Sequence, residues 1–129
     1  MSEAARAPTR VLMVDDEAAL RDIVSTGLGA RGYDVAVAAD GESGLMRIDE
    51  FRPDVLLVDL LMPEMDGYAV LEVLQAGRTQ YRPRRVIVIS ALTDRETKQR
   101  LSDLDVDTIL PKPFSLVELR ETIEALLTS

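Results

Sequence analysis

The residues best suited to chemistry are five polar side chains, each just after a short apolar run that is predicted to be a strand. The carboxyl ends of parallel strands meet at one edge of a sheet, so these side chains are expected to converge there. A single Asp after a strand is more often a turn former or a helix cap. The coincidence of all five residues is what favours a site. They are Asp15, Asp16, Asp59, Ser90 and Lys112.

Three of these residues are carboxylates, which repel one another and require a cation. Two unit charges about 4 Å apart interact by roughly 4 kcal/mol at an effective dielectric of about 20. A hard divalent ion offsets such repulsion, and Mg²⁺ in particular binds through one or two carboxylates together with waters and a phosphate. Lys112 adds a fixed positive charge. The chain has no His and no Cys, which excludes imidazole and thiolate ligands.

The apolar pattern predicts five strands that alternate with five helices. Three runs rich in β-branched residues are typical of central parallel strands, whereas 34–38 and 106–110 are predicted as edge strands. The pattern S/T-x-x-E predicts that helices begin just after Thr93 and Ser115. This alternation indicates an α/β fold with a doubly wound, five-stranded parallel sheet. The three central runs are 11–14, 55–58 and 86–89.

Length and charge limit the organisation and the partners of the chain. Its 129 residues suit one domain, predicted over 10–129, with residues 1–9 as a flexible tail. The net charge of -8 argues against direct binding of nucleic acid by this segment. No apolar run exceeds strand length, so no membrane segment is predicted. The absence of Cys fits a cytoplasmic protein.

The motifs at the strand ends together resemble the receiver domain of two-component response regulators of the chemotaxis-regulator type. The resemblance covers about residues 10–128 and implies a flavodoxin-like (βα)5 fold with strand order 2-1-3-4-5. The motifs are Asp15-Asp16, the segment DLLMPEMDG at 59–67, Ser90-Ala91 and Lys112-Pro113-Phe114.

This resemblance implies that Asp59 is the phosphoacceptor and also a Mg²⁺ ligand. Asp16 would bind the ion directly, Asp15 would hold it through water, and the backbone carbonyl of Leu61 would be a further ligand. The phosphoryl donor would be a histidine kinase or a phosphotransfer protein. The domain would not be an enzyme beyond catalysing its own phosphorylation and dephosphorylation.

The resemblance also implies roles in switching. Ser90 and Lys112 would each contact a phosphoryl oxygen, and the Lys112–Pro113 bond is expected to be cis. The family's aromatic switch position on the fifth strand is Ile109 here, which predicts a smaller or differently wired change. Gly67 is expected to permit a tight turn through a positive φ.

Phosphorylation is expected to change the face formed by the fourth helix, the fifth strand and the fifth helix. That face would bind a downstream protein or a C-terminal output domain, and homodimerisation on phosphorylation is a family-level expectation. The sequence leaves open whether the receiver stands alone or is part of a longer regulator.

Two other functions are compatible with part of this pattern. A pseudo-receiver that acts as a binding module without phosphorylation stays open because Ile109 replaces the aromatic residue. A Mg²⁺-dependent phosphohydrolase of the haloacid dehalogenase type is disfavoured, because those enzymes carry D-x-D after the first strand and this chain has adjacent Asp15 and Asp16.

Two further patterns predict no ligand site. The segment GLGARG at 27–32 matches a dinucleotide-binding pattern but follows a predicted helix, so it is predicted to end that helix. Four arginines at 78–85 are expected to form a solvated loop. Leu61 and Leu92 are apolar beside the expected site, and we hypothesise slow loss of phosphate from this domain.

Overall fold

The structure is a computed structural model that describes residues 7–129. Most of the predicted tail, residues 1–6, lies outside the described residues. Thr9 is already tied to the sheet, because its carbonyl oxygen accepts a hydrogen bond of 2.9 Å from the Asp34 N–H.

Five parallel strands form one sheet in the order β2-β1-β3-β4-β5, which confirms the predicted α/β fold and its strand order. The runs at the centre have no polar alternation because helices cover both faces of the sheet. The strands are β1 Arg10–Val14, β2 Asp34–Ala38, β3 Val55–Asp59, β4 Arg85–Ser90 and β5 Thr108–Pro111.

The fifth strand differs from its predicted range of 106–110. Asp105 adopts a positive φ of 54°, which keeps this part of the chain out of the extended conformation. Asp107 then makes two hydrogen bonds to Val86 on the neighbouring strand. Its N–H donates to Val86 O at 2.9 Å, and its carboxylate accepts from Val86 N at 2.8 Å. Regular pairing begins only at Thr108, opposite Ile87.

A helix follows each strand, in agreement with the predicted alternation. Ser115 and Glu118 form the predicted capping box at the start of the fifth helix. The prediction for Thr93 is wrong, because the side chain of Asp94 accepts the hydrogen bond from Thr97 N and the helix begins one residue later. The helices are α1 Ala18–Gly29, α2 Gly41–Phe51, α3 Gly67–Gln75, α4 Arg95–Leu101 and α5 Leu116–Leu127.

Apolar side chains pack on both faces of the sheet in two separate layers. Strand residues alternate between the faces, so Met13 packs with α1 and α5 while Leu12 and Val14 pack with α2, α3 and α4. Most core strand residues are fully buried. Both layers hold the strands rigidly, so the loops at the strand ends are built on a fixed frame.

The amino ends of the strands form an edge, here called the amino edge, at which charges are paired. Arg10 contacts Asp34 at 3.4 Å, its backbone N–H donates to the Asp54 carboxylate at 2.9 Å, and its guanidinium lies 4.1 Å from the ring centroid of Phe51. Among the described helices, none has the length and apolar character needed to cross a membrane.

Candidate functional site

The opposite edge of the sheet, here called the carboxyl edge, brings three carboxylates together. Asp15 follows β1 and is fully buried, Asp59 ends β3 and is 4% exposed, and Asp16 is exposed. One carboxylate oxygen from each residue lies within 4.8 Å of the other two. The predicted convergence is therefore observed for all three acidic residues.

Lys112 supplies the positive charge nearest to this cluster. Its Nζ lies 2.9 Å from Asp15 Oδ2 and 3.2 Å from Asp59 Oδ2. The backbone aligns it, because Lys112 N donates to Ser90 O at 2.8 Å and the Lys112–Pro113 peptide bond is cis, as expected. One ammonium thus faces two buried carboxylates.

The backbone around Asp15 is fixed from three sides. Its N–H donates to Ala38 O at 3.1 Å, and its Oδ1 accepts from Glu17 N at 2.8 Å. Its carbonyl oxygen accepts a hydrogen bond of 2.8 Å from Arg21 Nη1 on α1. Arg21 was not among the residues predicted from the sequence. The available signal was a basic residue about one turn into the helix that follows the acidic pair.

The two titratable partners in the site have shifted pKa values. Burial raises the pKa of Asp59, and the negative charge of Asp15 adds to this, while Lys112 and a 3.2 Å hydrogen bond from Leu61 N act in the opposite direction. Burial works to lower the pKa of Lys112, but Asp15 and Asp59 more than offset it and raise that pKa above its ordinary value.

The arrangement suits a hard divalent cation such as Mg²⁺. Asp15 Oδ2 is buried and, among the described residues, has no partner in hydrogen-bond geometry, although Lys112 Nζ lies within ion-pair distance of it. Three carboxylates and one ammonium leave an excess of negative charge. Oxygen ligands and excess negative charge are what Mg²⁺ requires from a protein.

Ser90 ends β4 beside the acidic cluster and is fully buried. Its hydroxyl oxygen accepts a hydrogen bond of 2.9 Å from Leu92 N, which leaves the hydroxyl proton free to be donated elsewhere. Ile109 on β5 is partly buried and packs against the apolar layer that contains α4. Ser90 and Ile109 therefore lie on adjacent strands: Ser90 ends the strand that precedes α4, and Ile109 packs in the apolar layer that contains α4.

Gly67 has a different role from the one predicted. Its φ is not positive, and it is instead the first residue of α3, where an added Cβ would lie 2.2 Å from the carbonyl oxygen of Asp59. Glycine is required here because α3 begins in contact with the backbone of β3. The residue of the preceding loop with a positive φ is Glu64, at 62°.

The remaining sequence patterns are accounted for locally. Gly27 and Gly29 lie within α1, and Gly32 follows it with a φ of 90°, which confirms that this glycine pattern ends a helix. The arginine loop is solvated as predicted, since Arg78, Arg82 and Arg84 are exposed. Arg82 also donates to Leu74 O at 2.9 Å, and Arg85, the first residue of β4, donates to Leu126 O at 3.0 Å.

Two leucines stand at the mouth of the carboxyl edge, where they leave apolar surface in contact with solvent. Leu61 is 54% exposed and Leu92 is 40% exposed. Their positions agree with the expectation that apolar side chains flank the site.

Comparison with known structures supports the same fold. Chemotaxis protein CheY4 of Vibrio cholerae superposes with a TM-score of 0.86 at 32% identity, over 93% of this chain and 99% of that one. The receiver domain of the Francisella response regulator 1452 superposes with a TM-score of 0.80 at 33% identity, over 92% and 95% of the two chains.

Curated relatives are longer proteins. Response regulator MprA of Mycolicibacterium vanbaalenii is 37% identical over 120 residues, which are 93% of this chain and 51% of that protein. The DNA-binding dual master transcriptional regulator RpaA of Synechocystis is 36% identical over 119 residues, 92% of this chain and 48% of that protein. The chain spans about half the length of the curated relatives it matches.

The family described as response regulator receiver domain matches residues 11–124, which run from the second residue of β1 through most of α5. This match, the superposed structures and the acidic cluster at the carboxyl edge agree with one another. The chain belongs to the receiver domain family of two-component response regulators.

Proposed function

We propose that this receiver domain accepts a phosphoryl group on Asp59 in a Mg²⁺-dependent reaction. The donor would be a histidine kinase or a phosphotransfer protein, since the chain has no His of its own. The observation that carries the proposal is the environment of Asp59, a buried carboxylate 3.2 Å from Lys112 Nζ and within 4.8 Å of the other two acidic residues.

The reaction forms an acyl phosphate on the chain. A carboxylate oxygen of Asp59 attacks phosphorus, and the bond from phosphorus to the donor's imidazole nitrogen breaks, with its electron pair leaving on that nitrogen. Asp16, Asp15 through water, Asp59 and the Leu61 carbonyl would hold Mg²⁺. When bound, the ion supplies positive charge to the phosphoryl oxygens. Once Asp59 is phosphorylated, it no longer carries a carboxylate charge of its own, and Lys112 then stabilises another phosphoryl oxygen.

Ser90 links the phosphoryl group to the outer face of the domain. Its free hydroxyl proton can be donated to a phosphoryl oxygen, while its oxygen already accepts from Leu92 N in the loop before α4. A shift of Ser90 Oγ therefore moves that loop and the start of α4. The partner that responds would be a downstream protein or a C-terminal output domain, and dimerisation on phosphorylation belongs to the same proposal.

The test is to incubate the protein with acetyl phosphate and Mg²⁺ and record its intact mass. We expect a phosphoryl adduct that is absent in Asp59→Asn and absent when EDTA removes Mg²⁺. The matched control is Asp22→Asn on the exposed face of α1, which should accept phosphate like the parent protein.

Two results would change the proposal. An adduct that persists in Asp59→Asn would place the phosphoacceptor elsewhere. Binding of Mg²⁺ with no adduct from acetyl phosphate, phosphoramidate or a phosphorylated kinase would favour the pseudo-receiver, in which Ile109 and the fold serve binding alone.

A further inference from the structure

One guanidinium contacts the backbone that joins two of the acidic residues. Arg21, on α1, donates from Nη1 to the carbonyl oxygen of Asp15 at 2.8 Å, and its side chain is partly buried. Arg21 lies in the first turn of α1, where its backbone N–H donates a hydrogen bond of 3.1 Å to Glu17 O. The guanidinium therefore extends back from the helix toward the loop that holds the acidic pair.

This contact determines the orientation of one peptide plane. The carbonyl of Asp15 and the N–H of Asp16 belong to the same planar unit, so a bond that holds one end also holds the other. A hydrogen bond from a guanidinium is charge-assisted and stronger than a neutral one. The direction in which Asp16 leaves the loop is therefore set partly by Arg21.

Asp16 depends on that peptide more than Asp15 does. The side chain of Asp15 is buried and bonded to Glu17 N, which fixes it independently. The side chain of Asp16 is exposed, and within residues 7–129 it has no hydrogen bond or ion pair. What holds Asp16 toward the other carboxylates is its backbone.

Arg21 has two opposing effects on a cation at the carboxyl edge. Its positive charge repels the cation, so its removal would tighten binding. Its hydrogen bond orients Asp16, so its removal would weaken binding. The charge effect is screened by solvent around a partly exposed side chain, whereas the hydrogen bond is local and short. The positioning effect is therefore expected to dominate.

We propose that Arg21 is a positioning residue that holds the Asp15–Asp16 peptide in the orientation required for Mg²⁺ binding. The inference rests on the proposed function of the site, because it assumes that Asp16 contributes to the ion's binding. Support from a hydrogen-bonded partner outside the ligand set is typical of metal sites, and its loss commonly costs about 10- to 100-fold in affinity.

The experiment measures Mg²⁺ affinity by calorimetry on the intact chain, together with the amide chemical shift of Asp16. Arg21→Met removes the charge and the donors, and Arg21→Lys keeps a charge and a donor. Arg31→Met is the control, because Arg31 is exposed after α1 and its loss changes net charge equally. We expect Arg21→Met to weaken binding about tenfold, with Arg21→Lys and Arg31→Met within about twofold of the parent protein.

A second measurement separates positioning from chemistry. At saturating Mg²⁺ the rate of phosphorylation by acetyl phosphate should largely recover in Arg21→Met, because the loss lies in metal affinity. Arg21→Leu provides a second variant without charge or donors if Arg21→Met is poorly folded by circular dichroism, and the same tenfold weakening is expected from it.

The outcomes distinguish this inference from the proposed function. Mg²⁺ affinity that is unchanged or tighter in Arg21→Met would overturn the positioning role, while the parent protein would still bind Mg²⁺ and accept phosphate. If the parent protein itself fails to bind Mg²⁺ or to form an adduct, the proposed function of the site fails first.

Discussion

The two edges of the sheet handle charge in opposite ways. At the amino edge each acidic group has a basic or backbone partner, as in Arg10 with Asp34 and Arg85 with Asp107 at 3.7 Å. At the carboxyl edge three carboxylates lie together, and Lys112 pairs with only two of them, Asp15 and Asp59. The same strands, packed in the same two apolar layers, end in balanced charge on one side and in unbalanced negative charge on the other.

This difference separates stability from function within one small domain. Paired surface charges contribute little individually, about 0 to 1 kcal/mol each, but they carry no penalty. Buried carboxylates in excess lower the stability of the fold unless a cation is bound. Excess negative charge at the carboxyl edge is therefore expected to lower the stability of the fold, and variants at the two edges should change stability in opposite directions.

The largest expected effect concerns the backbone beneath the charge cluster. In Gly67→Ala the new Cβ would meet the carbonyl oxygen of Asp59 and the Cα of Leu60 at 2.8 Å, and neither backbone atom can move freely. We expect the free energy of unfolding to fall by about 3 kcal/mol. Urea unfolding measures it.

Gly29→Ala is the matched control, because it lies at the end of α1 with no atom within 4 Å of the added Cβ. Its unfolding free energy should change by less than about 1 kcal/mol. Equal losses in the two variants would show that the close approach of α3 to β3 is unimportant.

Gly67 also illustrates the limit of sequence analysis. The strand pattern, the converging polar residues and the Ser115 capping box were predicted correctly, because each depends on local periodicity or on a short motif. The predicted reason for a glycine at position 67, a positive φ, was wrong. The actual reason is the close approach of α3 to β3, which is a tertiary distance. Arg21 was missed for the same reason, since its partner is a backbone carbonyl in a loop.

The next largest effect is that of Mg²⁺ on stability, which should be confined to the carboxyl edge. A ligand that binds only the folded state adds about 2.7 kcal/mol at 100 times its dissociation constant. We expect the thermal unfolding temperature to rise with Mg²⁺ and to return to its original value with EDTA. In Asp16→Asn the shift should be much smaller, and NaCl at equal ionic strength should not reproduce it.

A smaller pair of effects compares the edges directly. Asp59→Asn removes one of the crowded carboxylates, so without Mg²⁺ it should stabilise the fold by about 1 to 2 kcal/mol. Asp107→Asn removes a carboxylate that accepts from Val86 N and pairs with Arg85, so it should destabilise by about 1 kcal/mol. Urea unfolding at neutral pH measures both, and changes of equal sign would contradict the contrast between the edges.

The gain from Asp59→Asn should also depend on pH. Because the folded-state pKa of Asp59 is raised, proton binding favours the folded state. That contribution is fully present below the unfolded pKa of about 3.9 and is lost as pH rises through the raised folded-state pKa. The difference in unfolding free energy between the variant and the parent protein should therefore grow as pH rises through that interval and stay constant above it. A difference independent of pH would exclude Asp59 ionisation as its cause.

The smallest expected effect is kinetic and concerns the mouth of the carboxyl edge. Leu61 and Leu92 have no polar group with which to orient a water molecule for attack on an acyl phosphate, so its lifetime should be long. Leu61→Asn supplies such a group, and we expect the loss of phosphate to accelerate by about fivefold, which corresponds to roughly 1 kcal/mol in the barrier.

The control for this variant is Met46→Asn on α2, which replaces an apolar residue of similar exposure, 60%, outside the site and should leave the lifetime unchanged. Intact mass followed over time after removal of acetyl phosphate measures both variants. A lifetime of seconds in the parent protein would refute the hypothesis of slow phosphate loss. Leu61 and Leu92 would then not limit hydrolysis by water. If the lifetime is long, and Leu61→Asn shortens it while Met46→Asn does not, then the apolar residue at the mouth of the carboxyl edge slows hydrolysis. The paired charges of the amino edge cannot have this kinetic role.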